Sequence, residues 1–153
     1  MDQSEDKSTK TATEQPMEEQ SGYILINSSA TIEKVIGTEV DTALGPRGEY
    51  VTAQAGRAYL IIHMDIENNG CPRFVFDPNH YVAVKDGVEY APLNITRVIQ
   101  PRLAILDRVT LRDAGKISGC LIFEVPYSEQ IAYTIEYIGL DECKVIINPT
   151  TKG

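Results

Sequence analysis

The amino-acid sequence predicts an all-β fold, an antiparallel sandwich of short strands. From residue 23 onward, short apolar runs with a two-residue period are separated by turn residues at intervals of roughly ten positions. No segment carries a helical stripe longer than about two turns, and helices and strands do not alternate as they do in parallel sheets. A sandwich is favoured over a barrel because the runs are short and unequal in length.

The apolar runs place the strands in chain order. We predict them at residues 23–27, 30–36, 57–68, 73–76, 80–85, 88–91, 103–112, 116–125, 131–138 and 143–148, with some of them merging or failing.

Turn residues separate these runs. The predicted turns are at 45–48 (Gly-Pro-Arg-Gly), 68–70 (Asn-Asn-Gly), 77–79 (Asp-Pro-Asn), 86–87 (Asp-Gly) and 113–115 (Asp-Ala-Gly). Asp86-Gly87 is the clearest two-residue hairpin, because both positions tolerate a positive φ. The stretch 91–103, with Pro92 and Pro101, is predicted to be the longest connection between sheets.

The first twenty residues differ from the rest of the chain. They contain few apolar side chains, too few to offset the entropy of ordering the segment, so residues 1–20 are predicted to be a disordered polar tether. A helix over 14–20 is the alternative, without periodic support. Residues 21–153 are then one domain, because a chain of 153 residues has the size of a single core.

The charge balance excludes some classes of partner. The net charge is −8; residues 1–20 hold six acids and two bases, which leaves sixteen acids and twelve bases for the rest, so both parts have a net charge of −4. Neither part offers the basic surface that nucleic acids or anionic lipids require. No apolar run approaches the roughly 20 residues of a spanning helix. We expect a soluble chain; if the native protein is exported, its targeting segment has been removed and Met1 is an added start residue.

One strand carries a row of side chains of the types that bind metal ions. Side chains alternate between two faces along the strand predicted at 57–68. The inner face carries Leu60, Ile62, Met64 and Ile66, and the outer face carries Ile61, His63, Asp65 and Glu67. Residues two apart are about 6 to 7 Å from each other, and His63, Asp65 and Glu67 form a candidate site for Zn²⁺ or another divalent cation. The simpler interpretation is a polar, half-exposed face of an antiparallel sheet.

The other chemistry-bearing residues indicate structure more than catalysis. Asp77 and Asn79 have oxygens for Ca²⁺, but a side chain that caps its own turn is the more common arrangement, and His80 follows that turn. Cys120 lies inside a strand without a basic neighbour that would lower its pKa. No catalytic residues and no cofactor are predicted, so the chain is not expected to be an enzyme, with a hydrolase as the weakest alternative.

Three cysteines leave the disulfide question open. Cys71, Cys120 and Cys143 are widely spaced and match no zinc template. Their strand phases argue modestly against a bridge between Cys120 and Cys143, whereas Cys71 lies in a loop and could reach either of them. The sequence also allows three free thiols.

Three segments taken in order carry a family resemblance. They are YLIIHMDIENNG at 59–70, VKDGVEY at 84–90 and LRDAGKISGCLIFEVP at 111–126. They resemble a widespread prokaryotic domain family of unknown function found in small secreted proteins and lipoproteins, over about residues 56–137. Its members have an immunoglobulin-like sandwich similar to the mycobacterial immunoprotective extracellular antigen. Labels that tie some members to telomeric repeat-binding factors do not suit an acidic chain.

The resemblance implies an exported immunoglobulin-like domain, tethered by a removed N-terminal lipid anchor and a polar linker. It brings no agreed active site, so no residue role is carried over. We expect a non-enzymatic cell-envelope or secreted domain that binds a protein or surface component through its loops, including 69–73 and 77–80, or through a sheet edge. A metal- or small-ligand-binding sensor that uses His63, Asp65 and Glu67 is the alternative.

Overall fold

The computed structural model describes residues 22–42, 45–93, 97–100 and 102–149, with side chains described at 22–36, 50–93 and 104–149. Within these ranges the chain forms thirteen strands and a short 3-10 helix at Pro78–His80. The strands are β1 (Tyr23–Glu33), β2 (Val35–Thr42), β3 (Gly45–Thr52), β4 (Arg57–Asn69), β5 (Arg73–Phe76), β6 (Tyr81–Lys85), β7 (Val88–Tyr90), β8 (Arg97–Gln100), β9 (Arg102–Leu103), β10 (Val109–Arg112), β11 (Lys116–Pro126), β12 (Thr134–Tyr137) and β13 (Lys144–Pro149).

The strands build several sheets that pack on one another. The main sheet has the order β11-β4-β1-β13, and the facing layer consists of the sheet β12-β6-β7 and the pair β10-β5. A further sheet has the order β3-β2-β8-β9. The strand pairs described are antiparallel except β1 with β13, which is parallel. An isolated parallel bridge also joins Ile105 to Cys120 of β11. The predicted all-β sandwich is confirmed.

The principal core lies between the main sheet and the facing layer. The alternation along β4 places Leu60, Ile62, Met64 and Ile66 inward, and each is at most 2% exposed. They pack with the buried aromatic residues of the facing layer, which are Phe74, Phe76 and Tyr81. The inward face predicted for this strand is therefore confirmed, and its burial supplies the main hydrophobic term for the fold.

A second cluster covers part of the opposite face of the main sheet. Tyr59 and Ile61, which point away from the principal core, are buried with Ile36, Cys120 and Ile122. The polar outer face predicted for β4 is thus wrong at Ile61, because part of this face is covered as well. Burial on both faces explains why residues 58–62 form a continuous apolar run, which is typical of a strand between two layers.

Two short elements match their predictions. Strand β5 occupies residues 73–76 as predicted. Strands β6 and β7 pair as an antiparallel hairpin around Asp86 and Gly87. Both residues have positive φ, 53° and 79°, as a tight turn of the type favoured in hairpins requires.

Four predicted boundaries are wrong. Residues 45–48, expected to form a turn, lie in β3, which pairs with β2. The expected connection at 91–103 contains β8, which pairs with β2 as well. The strand expected at 103–112 forms a continuous strand only at 109–112, and the strand expected at 131–138 begins at Thr134. In each case, the strand boundaries depend on pairing with a strand distant in sequence. Local turn residues do not indicate such pairing.

The predicted tether at 1–20 lies outside the described residues. Among the residues that are described, no helix has the length and hydropathy needed to cross a membrane.

Asn68 joins three segments at one end of the sandwich. It is fully buried. Its side-chain Nδ2 donates to the carbonyls of Cys71 and Leu111, both at 3.0 Å, and its Oδ1 accepts from the Cys71 amide at 2.9 Å. Its backbone also bonds to the turn at 113–115, where Ala114 N–H donates to the Asn68 carbonyl at 2.9 Å. A buried amide with all these bonds satisfied fixes the ends of β4 and β10 together.

Candidate functional site

The predicted metal stripe lies on β4, and its acids are engaged by the neighbouring strand. The Ser118 hydroxyl donates to the Asp65 carboxylate at 2.6 Å, and Lys116 Nζ lies 3.9 Å from Glu67. His63 occupies the register position between Ser29 and Cys120. Across the described part of the chain, no group of three His, Cys, Asp or Glu side chains is arranged to hold a metal ion. Metal binding at this stripe stays a prediction.

The turn at 77–80 has the predicted capping arrangement. The Asp77 carboxylate accepts from the Asn79 amide at 2.9 Å and so caps the 3-10 helix. The same carboxylate lies 3.7 Å from Arg108 Nε and 4.0 Å from His80 Nε2. His80 is therefore placed beside an acid and a base rather than beside a nucleophile.

A cleft opens next to this turn, which we call the loop cleft. It has a volume of about 560 Å³, with Asp77, Asn79 and Arg108 at its polar side and Leu93, Ile105 and Leu121 among its apolar lining. The nearby Nδ1 atom of His80 is buried and has no hydrogen-bond partner among the described residues. One of the two loops that the sequence nominates as contact surfaces thus borders a cleft.

The cysteines divide into one bridge and one thiol. Cys71 and Cys143 form a disulfide with a Cα to Cα distance of 6.3 Å, and it links residues 72 positions apart. Cys120 is a free, buried thiol in β11. Burial raises its pKa to about 11, so the reactive thiolate is scarce at neutral pH. Its assignment as a strand residue is confirmed, and the pairing that the sequence left open is settled.

A second opening lies between the main sheet and the facing layer, where the principal core reaches the surface. We call it the edge groove; its volume is about 340 Å³. It is lined by Ser28, Ser29, Ala30 and Ile62 of the main sheet, by Ile147 and Pro149 of β13, and by Ile131, Tyr133, Thr134 and Ile135 of the facing layer.

Unpaired strand edges border this groove. Among the described residues, β13 is the last strand of the main sheet and β12 is the last strand of its own sheet. Within the described part of the chain, β13 pairs with β1 as far as Ser28, and β1 continues beside β4 as far as Glu33. Residues 29–33 thus pair with β4 alone among the strands that the structure describes. Such an edge presents backbone N–H and C=O groups to another chain.

The wall of the groove on the facing layer is held in place by Tyr133. Its hydroxyl donates to the Pro126 carbonyl at 2.8 Å, its ring meets Tyr90 edge-on at 6.0 Å, and the Lys85 ammonium lies 5.4 Å from its ring centre. Burial, and then the proximity of Tyr90, raises the pKa of Tyr133. The hydrogen bond and the two ring contacts hold this wall of the groove in place.

Sequence reasoning named a sheet edge in general and missed this groove. The strand expected at 131–138 would have paired Ile131 and Tyr133 within the sheet, whereas they precede β12 and line the opening. Ile131 is 43% exposed, a large value for an isoleucine beside the core. Local sequence carries no signal for this, because the groove depends on where two distant strands end.

Comparison with known proteins gives one match. The family model described as a domain of unknown function (DUF4352) matches residues 24–142. No curated protein and no solved structure matches the sequence significantly. The matched range contains β1 to β12 and stops before Cys143 and β13, so one wall of the edge groove lies outside it.

Proposed function

The chain belongs to the family described as a domain of unknown function, DUF4352, and we propose that it is a non-enzymatic binding domain of the cell envelope or of a secreted protein. Its task is to hold a segment of another protein. The observation that carries this proposal is the edge groove, a partly apolar opening bordered by β12 and β13, which are the last strands of their sheets among the described residues.

The groove has the features of a recognition site for protein segments. Its apolar lining offers burial, and residues 29–33, which pair with β4 alone in the described part of the chain, offer backbone hydrogen bonds on their other side. Proteins that bind extended segments combine these two elements, since the backbone bonds give affinity and side-chain pockets give specificity.

The disulfide supports an extracytoplasmic location. Bridges such as Cys71–Cys143 form and persist in oxidising environments and are rare where glutathione and thioredoxin keep thiols reduced. This agrees with the export that the family resemblance implies. Mass spectrometry of the protein isolated from its native cells, without reductant, should find Cys71 and Cys143 in one cross-linked peptide and Cys120 as a thiol. Three thiols in the native protein would remove this support.

The chemistry of the remaining residues supports a role without catalysis. The Cys120 thiol is buried with a pKa of about 11, and His80 contacts Asp77. Neither arrangement activates a nucleophile, which needs a lowered pKa or an adjacent base.

Photo-crosslinking in the native cells tests the proposal. Benzoylphenylalanine placed at Ile131, on the rim of the groove, should give discrete cross-linked protein products. The matched control is Val88, an exposed residue on β7 at the opposite end of that sheet, with 49% exposure against 43% for Ile131. The further positions Asn79 and Arg73 probe the two loops. Absence of specific products at Ile131, Asn79 and Arg73, or the same products at the control Val88 as at Ile131, would contradict the proposal.

A further inference from the structure

The loop between β12 and β13 carries the most exposed large apolar side chain among the described residues. Leu140 is 98% exposed, and Ile138, two residues earlier, is 49% exposed. We call residues 138–142 the Leu140 loop. A single exposed apolar residue is ordinary on a protein surface, so exposure alone assigns no role to Leu140. Its loop differs from an ordinary surface loop because its backbone is held at several points.

Tyr137 and Asp141 close the Leu140 loop at its base. The Tyr137 hydroxyl donates to the Asp141 carboxylate at 2.8 Å and accepts from the Asp141 amide at 3.2 Å. A Cβ added at Gly139 would collide with the same hydroxyl, so glycine allows the phenol to pack against the loop backbone. The Tyr137 ring packs in turn against the buried Tyr81, with 5.4 Å between the ring centres. The loop is therefore closed over an aromatic ring that the core holds in place.

Two further links anchor the ends of the Leu140 loop. At its start, the Ile138 amide donates to the His80 carbonyl at 2.7 Å. Directly after it, Cys143 forms the disulfide with Cys71. Leu140 is thus presented by a loop whose conformation is already set, and this lowers the entropic cost of binding through it.

The Leu140 loop and the edge groove lie at opposite ends of the same two strands. Strand β12 runs from the groove, which Thr134 lines, to the loop. Strand β13, six residues long, runs back from the loop to the groove, which Ile147 and Pro149 line. A strand of that length spans about 20 Å, so Leu140 does not reach the groove of its own molecule. A contact between this loop and this groove has to join two copies.

Size and polarity match between the groove and Leu140. An engineered apolar cavity of about 150 Å³ holds one benzene, and the edge groove has a volume of about 340 Å³. A leucine side chain is smaller than benzene and enters such a space without rearrangement of its walls. None of the described residues that line the groove is charged, so an apolar side chain can enter without burying a charge.

Charge favours the edge groove over the loop cleft as the receiving site. The loop cleft is lined by the carboxylates of Asp77 and Asp107 together with a single cation, Arg108. The Leu140 loop carries acids of its own beside Leu140, namely Asp141 and the exposed Glu142. Like charges brought together across an interface disfavour it, so the uncharged edge groove is the better partner for this loop.

We propose that the protein forms a two-fold dimer in which the Leu140 loop of each copy inserts Leu140 into the edge groove of the other, beside Ile62, Ile131 and Ile135. Two copies placed antiparallel along the β12–β13 edge make this contact twice, as two-fold symmetry requires. The inference rests on the proposed function, in which the edge groove holds a protein segment, and names a segment that fits it. Any other partner of the groove then has to displace the Leu140 loop.

Sedimentation velocity of the full disulfide-bonded chain tests dimer formation. The range should extend from about 10 µM to about 1 mM, because small interfaces give weak and transient complexes. The wild type should convert from monomer to dimer over this range. Leu140→Asp should weaken dimerisation by about tenfold or more, since a central apolar anchor carries much of the binding energy of an interface. The control Val88→Asp makes a matching change at an exposed residue that lines neither opening, and it should leave dimerisation unchanged.

Mixing two variants separates this contact from a loss of folding. Leu140→Asp keeps the groove, and Ile131→Asp, at a position that is 43% exposed, keeps the Leu140 loop. Each variant alone places an aspartate in both contacts of its dimer. An equimolar mixture restores one of the two contacts, so it should dimerise more strongly than either variant alone. A mixture that dimerises no better than its components would overturn the inference.

Cross-linking identifies where the loop docks. Benzoylphenylalanine at position 140, in a mixture of isotope-labelled and unlabelled copies of the purified protein, should join position 140 to residues 131–135 of the other copy. Cross-links to residues 105–108 would place the loop in the loop cleft and overturn the inference. So would a wild type that stays monomeric or grows beyond a dimer. Products with other proteins at Ile131 in the native cells would then still support the proposed function, whereas their absence would remove both proposals.

Discussion

Replacement of Asn68 by alanine tests whether the end of the sandwich is held together by one buried amide. The variant Asn68→Ala removes three side-chain hydrogen bonds, two donated by Nδ2 to the Cys71 and Leu111 carbonyls and one accepted by Oδ1 from the Cys71 amide. All of them are buried, so water cannot easily replace the lost partner. Each such bond contributes about 1 kcal/mol to stability, with more lost where a buried group is left unpaired. The expected loss in the free energy of unfolding is therefore about 3 kcal/mol.

This loss is large against the roughly 5 to 15 kcal/mol that stabilises a typical domain. Urea unfolding of the disulfide-bonded protein measures it, since a stability change shifts the midpoint at constant slope. The matched control is Asn69→Ala, the same change one residue later at a half-buried position, which should stay within about 0.5 kcal/mol of the wild type. A loss below about 1 kcal/mol for Asn68→Ala, or an equal loss for both variants, would refute the reasoning.

The aspartate variant adds a pH dependence whose sign follows from the same contacts. In Asn68→Asp, a carboxyl group faces the two carbonyls that Nδ2 now contacts, so its charged form is disfavoured and its pKa in the folded state should be raised. The folded state then binds the proton more tightly than the unfolded state, whose pKa is about 3.9. Stability should therefore fall as pH rises from about 4 toward the folded-state pKa. Urea midpoints that rise over this range would contradict the proposed contacts.

Four further measurements address other features. Ala114 has a φ of 71°, so Ala114→Gly should raise the free energy of unfolding by about 1 kcal/mol, and a loss on urea unfolding would contradict that strain. The Cys71–Cys143 bridge closes a separation of 72 residues, so the double serine variant should lose about 4 kcal/mol by the chain-entropy estimate; a loss under about 1 kcal/mol would oppose it. Burial raises the pKa of Cys120 to about 11. Alkylation of Cys120 in the folded protein should therefore be far slower at pH 7.5 than that of an exposed cysteine, and it should accelerate toward pH 11. Labelling within minutes at pH 7.5 would contradict burial of the thiol. Calorimetric titration with Zn²⁺ should give the same negligible heat for the wild type and for His63→Ala, because Ser118 and Lys116 of β11 already contact Asp65 and Glu67. A binding heat in the wild type that is lost in the variant would support the metal hypothesis.

The sequence was most informative where one strand and its own turn determine the outcome. The alternation of Leu60, Ile62 and Met64 gave the inward face of β4, because side chains of a strand alternate whatever its neighbours are. Asp86-Gly87 gave its hairpin, because both residues tolerate positive φ.

Features that depend on distant strands were missed. Burial of Ile61 needs a second layer on the outer face, and the local pattern cannot reveal it. The disulfide partner of Cys71 lies 72 residues away, and the sequence left open whether Cys71 pairs with Cys120 or with Cys143. Asn68 was predicted only as a residue of the turn at 68–70. Its hydrogen bond to the Leu111 carbonyl depends on the position of β10, which the local sequence does not indicate.

The candidate site belongs to the second category. Its lining combines residues that are distant in sequence, with Ala30 of β1, Ile147 of β13 and Ile131, which precedes the start of β12 at Thr134. These positions are set by strand pairing and by the loop before β12, where Tyr133 donates to the Pro126 carbonyl. A sheet edge could be expected from the fold class, but its location could not.

Hydrogen exchange tests the central claim most directly. The backbone amides of residues 29–33 should exchange faster in the free protein than those of the central part of β4, because in the described part of the chain they pair with β4 alone, whereas β4 lies between β1 and β11. Addition of a protein captured by cross-linking from Ile131, at saturating concentration, should slow exchange at residues 29–33 and 131–135. Protection confined to the loop cleft around 77–80 and 105–108, with residues 29–33 unchanged, would contradict the account.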